Sequence, residues 1–210
     1  VKGKNILVEA VATDDAIAAL EQSLVEDDLN EENNMSVEVG LYSAENSVGI
    51  HVLAGAEIIA AQTVDMIAGL TLEKPFIPLI SDSFNPFTLK IGNADVSILG
   101  KVEAGGYIAA RSELNISIDV TKALLKIVIP LSVGVAVGSA KVVVEGDAKL
   151  TSGAGVDLHA ASDVRVLSEA IAGALKFSIS LAVVQIDTKT IVRGNANIKA
   201  EGDTDLTAAA

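Results

Sequence analysis

The sequence contains no cysteine and no tryptophan, and aromatic residues make up only 3% of it. Without cysteine, the chain can form neither a disulfide nor a thiolate metal site. Half of the residues are hydrophobic, and most of these are alanine, valine, isoleucine and leucine. A globular core of two packed layers normally uses some large rings to fill irregular volume. Small and branched apolar side chains instead favour thin, regular layers that repeat.

Basic residues are also scarce, with 15 Lys and Arg against 28 Asp and Glu and a formal net charge of −13. This balance argues against a nucleic-acid partner and against an anionic membrane surface, since both would be repelled. The longest uncharged apolar run, 127–140, is shorter than the ~20 residues that a membrane-spanning helix needs. It also contains a proline and two glycines. We therefore expect neither nucleic-acid binding nor membrane insertion.

An internal repeat dominates the second half of the chain. Residues 140–161 (AKVVVEGDAKLTSGAGVDLHAA) align without a gap with 188–209 (TKTIVRGNANIKAEGDTDLTAA), at an offset of 48 and with eight identities. A third copy lies at 94–110, at an offset of 46. Fainter copies open with the glycines at 3 and 55, which are aligned with Gly105 and Gly153 at spacings of 52, 50 and 48. Apolar and polar residues alternate within each copy, which predicts strands with one buried and one solvated face.

Glycine followed by Asp or Asn punctuates the repeat at predicted turns, as at Gly146-Asp147 and Gly194-Asn195. Short strands that turn and repeat at a fixed period are typical of a β-solenoid. We interpret the 48-residue unit as two coils of about 24 residues, each advancing by one strand spacing of about 4.8 Å. The smoother apolar runs 124–138 and 177–184 fit strands that are buried on both faces.

The order of motifs resembles the repeats of very large bacterial surface proteins, the filamentous haemagglutinin-like and leukotoxin-type filamentous adhesins. The matching stretches are 132–161 and 180–209, with a partial match at 94–110. The resemblance implies a right-handed parallel β-helix, secretion to the cell exterior, and a role in adhesion or matrix formation. It implies no catalytic residue. Residues 1–210 are then expected to be a single solenoid segment of a longer extracellular protein.

Residues 13–34 break the strand pattern and predict an inserted acidic helix. Ile17, Leu20 and Leu24 follow helical spacing, and Asp14 and Asp15 stand where they would favour a helix N-terminus. The segment holds eight acidic residues and no basic one. It is interpreted as a solvated helix along the solenoid, or alternatively as a protrusion that binds a partner or calcium. The calcium hypothesis is weak because no EF-hand loop is present, and no other cofactor is expected.

Residues 71–88 predict a second insertion, a loop rich in proline and phenylalanine. Proline cannot donate to a central ladder, so this segment should lie outside the stacked strands. Its phenylalanines, Phe76, Phe84 and Phe87, either fix the loop to the solenoid or form an apolar surface for self-association or a host ligand. We predict this loop as the first place to seek a partner-binding site.

The catalytic motifs of common enzyme classes are missing. The sequence has no serine nucleophile elbow and no phosphate-binding loop. We expect a structural or adhesive segment of a secreted surface filament that attaches to a host cell, a neighbouring cell or matrix. The alternatives are a self-assembling extracellular fibre subunit and a carbohydrate-active β-helix enzyme, which would need carboxylates beside aromatic sugar platforms. The histidines, His51 and His159, fall in separate repeats, and His159 is predicted at the surface because it aligns with Thr207 at an outward strand position.

Overall fold

The computed structural model describes residues 1–13, 41–73, 87–122, 131–170 and 178–210. Within these ranges the chain is all-β and contains no helix. The strands are β1 (Lys2–Gly3), β2 (Ile6–Thr13), β3 (Leu41–Val52), β4 (Glu57–Ala60), β5 (Val64–Leu72), β6 (Phe87–Ile98), β7 (Lys101–Ala104), β8 (Ile108–Lys122), β9 (Leu131–Val144), β10 (Lys149–Ser152), β11 (Val156–Ala170), β12 (Ile179–Val192), β13 (Asn197–Ala200) and β14 (Thr204–Ala209).

The strands form three sheets, and the chain visits them in rotation. Sheet A has the order β1-β4-β7-β10-β13, sheet B the order β2-β5-β8-β11-β14, and sheet C the order β3-β6-β9-β12. Every pair of neighbouring strands is parallel. Each turn of the chain therefore adds one strand to each sheet, an arrangement consistent with a parallel β-solenoid.

The register shows that one coil takes a whole repeat. Leu150 pairs with Ile198, Leu158 with Leu206 and Val144 with Val192, each at the offset of 48. The upstream copy at Ala94 pairs with Ala140, as the alignment predicts. Directly paired residues are one coil apart, so the interpretation of two 24-residue coils is wrong. The reason is that one repeat holds three strands, a short one in sheet A and two long ones in sheets B and C.

The core lies between the sheets and follows the period-two pattern. In β5, the alternate residues Val64, Met66, Ala68, Leu70 and Leu72 are all fully buried. One cluster of buried side chains lies next to sheet A and includes residues of all three sheets. A second cluster lies between sheets B and C, on the side away from sheet A. Aliphatic side chains suffice because each position stacks on a similar residue of the next coil, which leaves no irregular volume for rings.

The predicted turn glycines adopt the conformation that makes them necessary. Gly146 and Gly194 have φ values of 68° and 74°, in the left-handed region that side chains with a Cβ disfavour. Both lie between a sheet C strand and the following sheet A strand. Gly55 lies at the same kind of corner, whereas Gly105 and Gly153 follow sheet A strands. The fainter alignment that equates Gly55 with Gly105 is therefore wrong.

The two predicted insertions fall largely outside the described residues. Residues 14–34 of the predicted helix are among them, and Thr13, its first residue, ends β2 in a strand. The ends of the predicted 71–88 loop are also strands, because Thr71 and Leu72 complete β5 while Phe87 and Thr88 begin β6. The predicted loop is therefore too wide at both ends, because the strand residues that flank it carry no turn signal of their own.

Candidate interaction surfaces

Each gap between described ranges separates a sheet B strand from the following sheet C strand. We call the edge where B strands end and C strands begin the insertion corner. Thr13, which ends β2, pairs with Thr71 of β5, and Leu41, which begins β3, pairs with Phe87 of β6. Because the strands are parallel and in register, both predicted insertions leave from neighbouring strands and return to neighbouring strands. The two segments singled out from the sequence thus belong to one edge of the molecule.

The predicted partner-binding phenylalanines are placed only in part. Phe76 and Phe84 lie outside the described residues. The backbone of Phe87 belongs to sheet C, where it pairs with Leu41 on one side and Val133 on the other. The structure therefore assigns the backbone of Phe87 to the scaffold at the insertion corner, at the point where β6 begins.

The interior becomes polar close to the insertion corner. Lys90 of β6 is buried, with only 5% of its surface exposed, and its Nζ donates to the carbonyl oxygens of Leu72 (3.0 Å) and Ser117 (3.2 Å). A buried ammonium group must be compensated by such bonds. On the next coils, the hydroxyls of Ser132 and Ser168 lie 2.8 Å apart. These polar groups connect sheet C to sheet B across the interior.

A buried serine makes a similar connection deeper in the stack. The Ser112 hydroxyl donates to the carbonyl oxygen of Ala94 at 2.7 Å and accepts from the backbone N–H of Lys141 at 3.1 Å. Its neighbours in register are Ala68 and Ala160, which cannot form these bonds. Ser112 therefore joins β8 of sheet B to both β6 and β9 of sheet C.

Charged side chains of opposite sign alternate on the outer face of sheet C. His51 Nε2 lies 3.4 Å from Asp95, and Asp187 accepts from Lys189 at 2.6 Å and from Lys141 at 3.1 Å. Hydrogen bonds from Lys189 first, and then from Lys141, hold the pKa of Asp187 below its ordinary value. These side chains are one-third to one-half exposed, so each pair contributes little stability by itself.

Further ladders join residues one repeat apart. Arg193 Nε donates to Glu145 at 2.6 Å, and Asn195 donates to Asp147 at 3.1 Å. His159 Nδ1 lies 2.6 Å from the Thr207 hydroxyl on the outer face of sheet B, which confirms its predicted surface position. The repeat alignment already places Glu145 against Arg193, so this pairing could have been found from the sequence.

An apolar strip occupies the outer face of sheet C along the first half of its strands. Its members are Leu89, Ile91, Val133, Val135, Val137, Ile179, Leu181 and Val183. Val133, in the middle of the sheet, is buried, whereas Ile179 and Leu181 on β12 are each 51% exposed. The prediction of strands buried on both faces is confirmed at Val133 of β9, whereas Val135 and Val137 on the same outer face are only partly buried. It is wrong for β12, which lies at the edge of the sheet.

The C-terminal end of the stack, formed by β12, β13 and β14, leaves inner-face side chains uncovered. Val184, Val192 and Leu206 are 52%, 39% and 48% exposed. The residues that precede them by one coil, Ala136, Val144 and Leu158, are fully buried. Within residues 1–210 no further coil packs on these strands, and this accounts for the exposure of their inner-face side chains.

The described residues contain no cluster of three or more His, Asp or Glu side chains that could hold a metal ion. They also contain no helix long and apolar enough to cross a membrane. Comparisons of the chain with protein-family models, with curated proteins and with solved structures found no match.

Proposed function

We propose that this chain is a structural and adhesive segment of a secreted bacterial surface or matrix filament, built as a right-handed parallel β-solenoid. The observation that carries the proposal is the register, in which residues 48 apart in sequence pair directly in all three sheets. A stack of this kind can be extended by adding coils without changing the contacts already made. Such extensibility is what a filament requires.

The insertion corner is the proposed place of attachment. Binding segments are commonly carried by connections that a rigid scaffold positions, because connections tolerate changes in length and sequence that strands do not. The segments 14–40 and 74–86 leave from paired strands, so they can act together on one partner. The partner would be a component of a host cell, of a neighbouring bacterial cell or of the matrix between cells.

Beads coated with the chain test this proposal. We expect them to attach to cultured epithelial cells, or to one another, more than beads coated with albumin do. Replacing 14–40 and 74–86 by copies of the shorter connection 123–130 should abolish attachment and leave the strand-dominated circular dichroism spectrum unchanged. A charge-neutral change on the outer face of sheet A, Thr151→Ser, serves as the matched control. Wild-type beads that attach no better than albumin, or attachment that survives both replacements, would contradict the proposal.

The apolar strip on the outer face of sheet C supports a second candidate function, that of a self-associating subunit of an extracellular fibre. A row of partly exposed aliphatic side chains on a sheet is a surface that a second copy of the chain can cover. This function needs no ligand other than the protein itself. It predicts particles whose size increases with protein concentration, measured by light scattering and electron microscopy. Particles of one monomeric size at every concentration would exclude it.

A further inference from the structure

We propose that two copies of the chain pack sheet C against sheet C, side by side, with their strands aligned and their solenoid axes antiparallel. The inference rests on the second candidate function, self-association, and specifies the surface and the register of the contact. The two-fold axis lies in the interface, parallel to the strands and midway between β6 and β9. Because an isologous contact uses the same surface on both copies, it gives a closed pair of molecules.

The apolar strip reaches solvent in the middle of sheet C as well as at its edge. On the outer face, Leu89 and Ile91 of β6 and Val135 and Val137 of β9 are only partly buried. Strands β6 and β9 each have a strand partner on both sides, so this exposure does not depend on where the chain begins or ends. Covering these aliphatic side chains removes apolar surface from water, which favours association.

The charged half of the same face sets the position of the axis. Asp95 of β6 pairs in register with Lys141 of β9, so both residues lie at the same level along their strands. A two-fold axis parallel to the strands preserves that level and places β6 of one copy opposite β9 of the other. Asp95 of each copy then lies opposite Lys141 of the second copy. Opposite charges that face each other across an interface fix its register.

The same axis brings the apolar strips of the two copies together. Leu89 is in register with Val135, and Ile91 with Val137, so each leucine or isoleucine lies opposite a valine of the second copy. Two sheets packed in this way keep their strands within about 30° of each other and enclose a layer of interdigitating side chains about 10 Å thick. The apolar half of the face therefore forms the dry part of the interface, and the charged half forms its polar part.

Other arrangements of the two faces are less favourable. Moving the axis onto β6 places Asp95 opposite Asp95 of the second copy, and moving it onto β9 does the same with Lys141. Like charges that face each other across an interface are strongly unfavourable. Turning the axis across the strands sets the apolar half of one face against the charged half of the other, which desolvates the charges without an opposite charge to compensate them.

The extent of sheet C is sufficient for a stable pair. Its four described strands are 12 to 14 residues long. The face therefore measures about 45 Å by about 19 Å, or roughly 850 Å². A stable interface buries about 800 Å² on each partner. Contact between the apolar strips alone would cover only about half of the face, so the charged half has to take part as well.

Charge reversal tests the register by analytical ultracentrifugation. We expect the wild type to dimerise as its concentration rises, and Asp95→Lys or Lys141→Asp to weaken dimerisation by about tenfold or more, because each substitution sets like charges opposite each other. An equimolar mixture of the two variants should dimerise like the wild type, because the mixed pair has opposite charges at both contacts. The control Lys149→Asp, on the outer face of sheet A, should have no effect. Single variants that dimerise like the wild type, or a mixture that does not recover, would overturn the register.

A second pair of variants tests the surface. Val135→Lys places a charge in the apolar strip and should weaken dimerisation by about tenfold or more. Ile67→Lys places the same charge at a partly buried position on the outer face of sheet B and should dimerise like the wild type. Circular dichroism checks that both variants are folded.

The outcomes separate the interface from the functions proposed above. Equal effects of the two lysines would overturn the interface and leave self-association standing. A wild-type protein that stays monomeric at every concentration, as it would if other residues of the same chain covered the strip, would overturn both the interface and the fibre function. Attachment of coated beads would leave the adhesive function standing in either case.

Discussion

Truncating the same leucine in two successive coils measures how much stability the stacking of one coil on the next provides. Leu158 and Leu206 are equivalent residues that pair directly in sheet B. Leu158 is fully buried between two coils, whereas Leu206 is 48% exposed at the C-terminal end. The two substitutions, Leu158→Ala and Leu206→Ala, change the same atoms in the same local structure and differ only in the coil that follows.

The expected magnitudes follow from burial. Leu158→Ala removes a fully buried side chain and leaves a cavity between coils that cannot collapse, which costs about 3 kcal/mol. Leu206→Ala removes a side chain of which half is already in water, and water can fill the space. Its cost should be about 1 kcal/mol. The difference, about 2 kcal/mol, measures the contribution of the covering coil.

Guanidinium unfolding followed by circular dichroism gives both free energies, provided that the protein is dilute enough to be monomeric. The slope of the unfolding curve must be the same in the two variants for the comparison to hold. Equal losses of stability at the two positions would refute the reasoning. They would mean either that Leu206 is covered in solution, or that Leu158 gains no stability from its contacts with the coil that follows it.

Three further predictions concern single groups. Ser112→Ala should lower the free energy of unfolding by about 2 kcal/mol in chemical denaturation, because the carbonyl of Ala94 and the N–H of Lys141 lose their partner. The control Ser47→Ala, at an exposed serine, should have no measurable effect. Asp187→Asn should make the free energy of unfolding less sensitive to acid. Because the pKa of Asp187 is lowered in the folded state, its carboxylate contributes stability above its ordinary pKa of 3.8, and this contribution is lost as the pH falls through the lowered pKa. An acid-unfolding profile equal to that of the wild type would contradict this prediction. Gly146→Ala should lower the free energy of unfolding by about 1 to 2 kcal/mol, because a residue with a Cβ disfavours the φ of 68°. No atom lies close enough to obstruct the new Cβ, so the backbone conformation is the only cause. A calorimetric melting temperature equal to that of the wild type would show that the turn relaxes.

The pairing of strands was readable from the sequence because the repeat and the register have the same physical origin. Residues that stack on each other must be alike, so the aligned positions of 140–161 and 188–209 are the paired positions in sheets A and B. Period-two alternation likewise identified the inner face, as in β5. The turn glycines were readable because only glycine tolerates the backbone conformation that the corner requires.

The number of strands in a coil was not readable in the same way. Glycine followed by Asp or Asn marks the corner between sheets C and A, as at Gly146-Asp147. The connections 123–130 and 171–177, which join sheet B strands to sheet C strands, contain no such pair, so the sequence does not mark the boundary between the two long strands of a coil.

The size of the coil determines how far such a chain can extend. Each coil uses 48 residues in the last repeats and advances the stack by a single strand spacing. A solenoid with coils of this size therefore needs roughly 1,000 residues to extend about 100 Å along its axis. Its longest strands, of 15 residues, measure about 50 Å from end to end, so the stack described here is broader than it is tall. A protein of this design therefore gains little length along its axis for each residue, but it presents a large lateral surface.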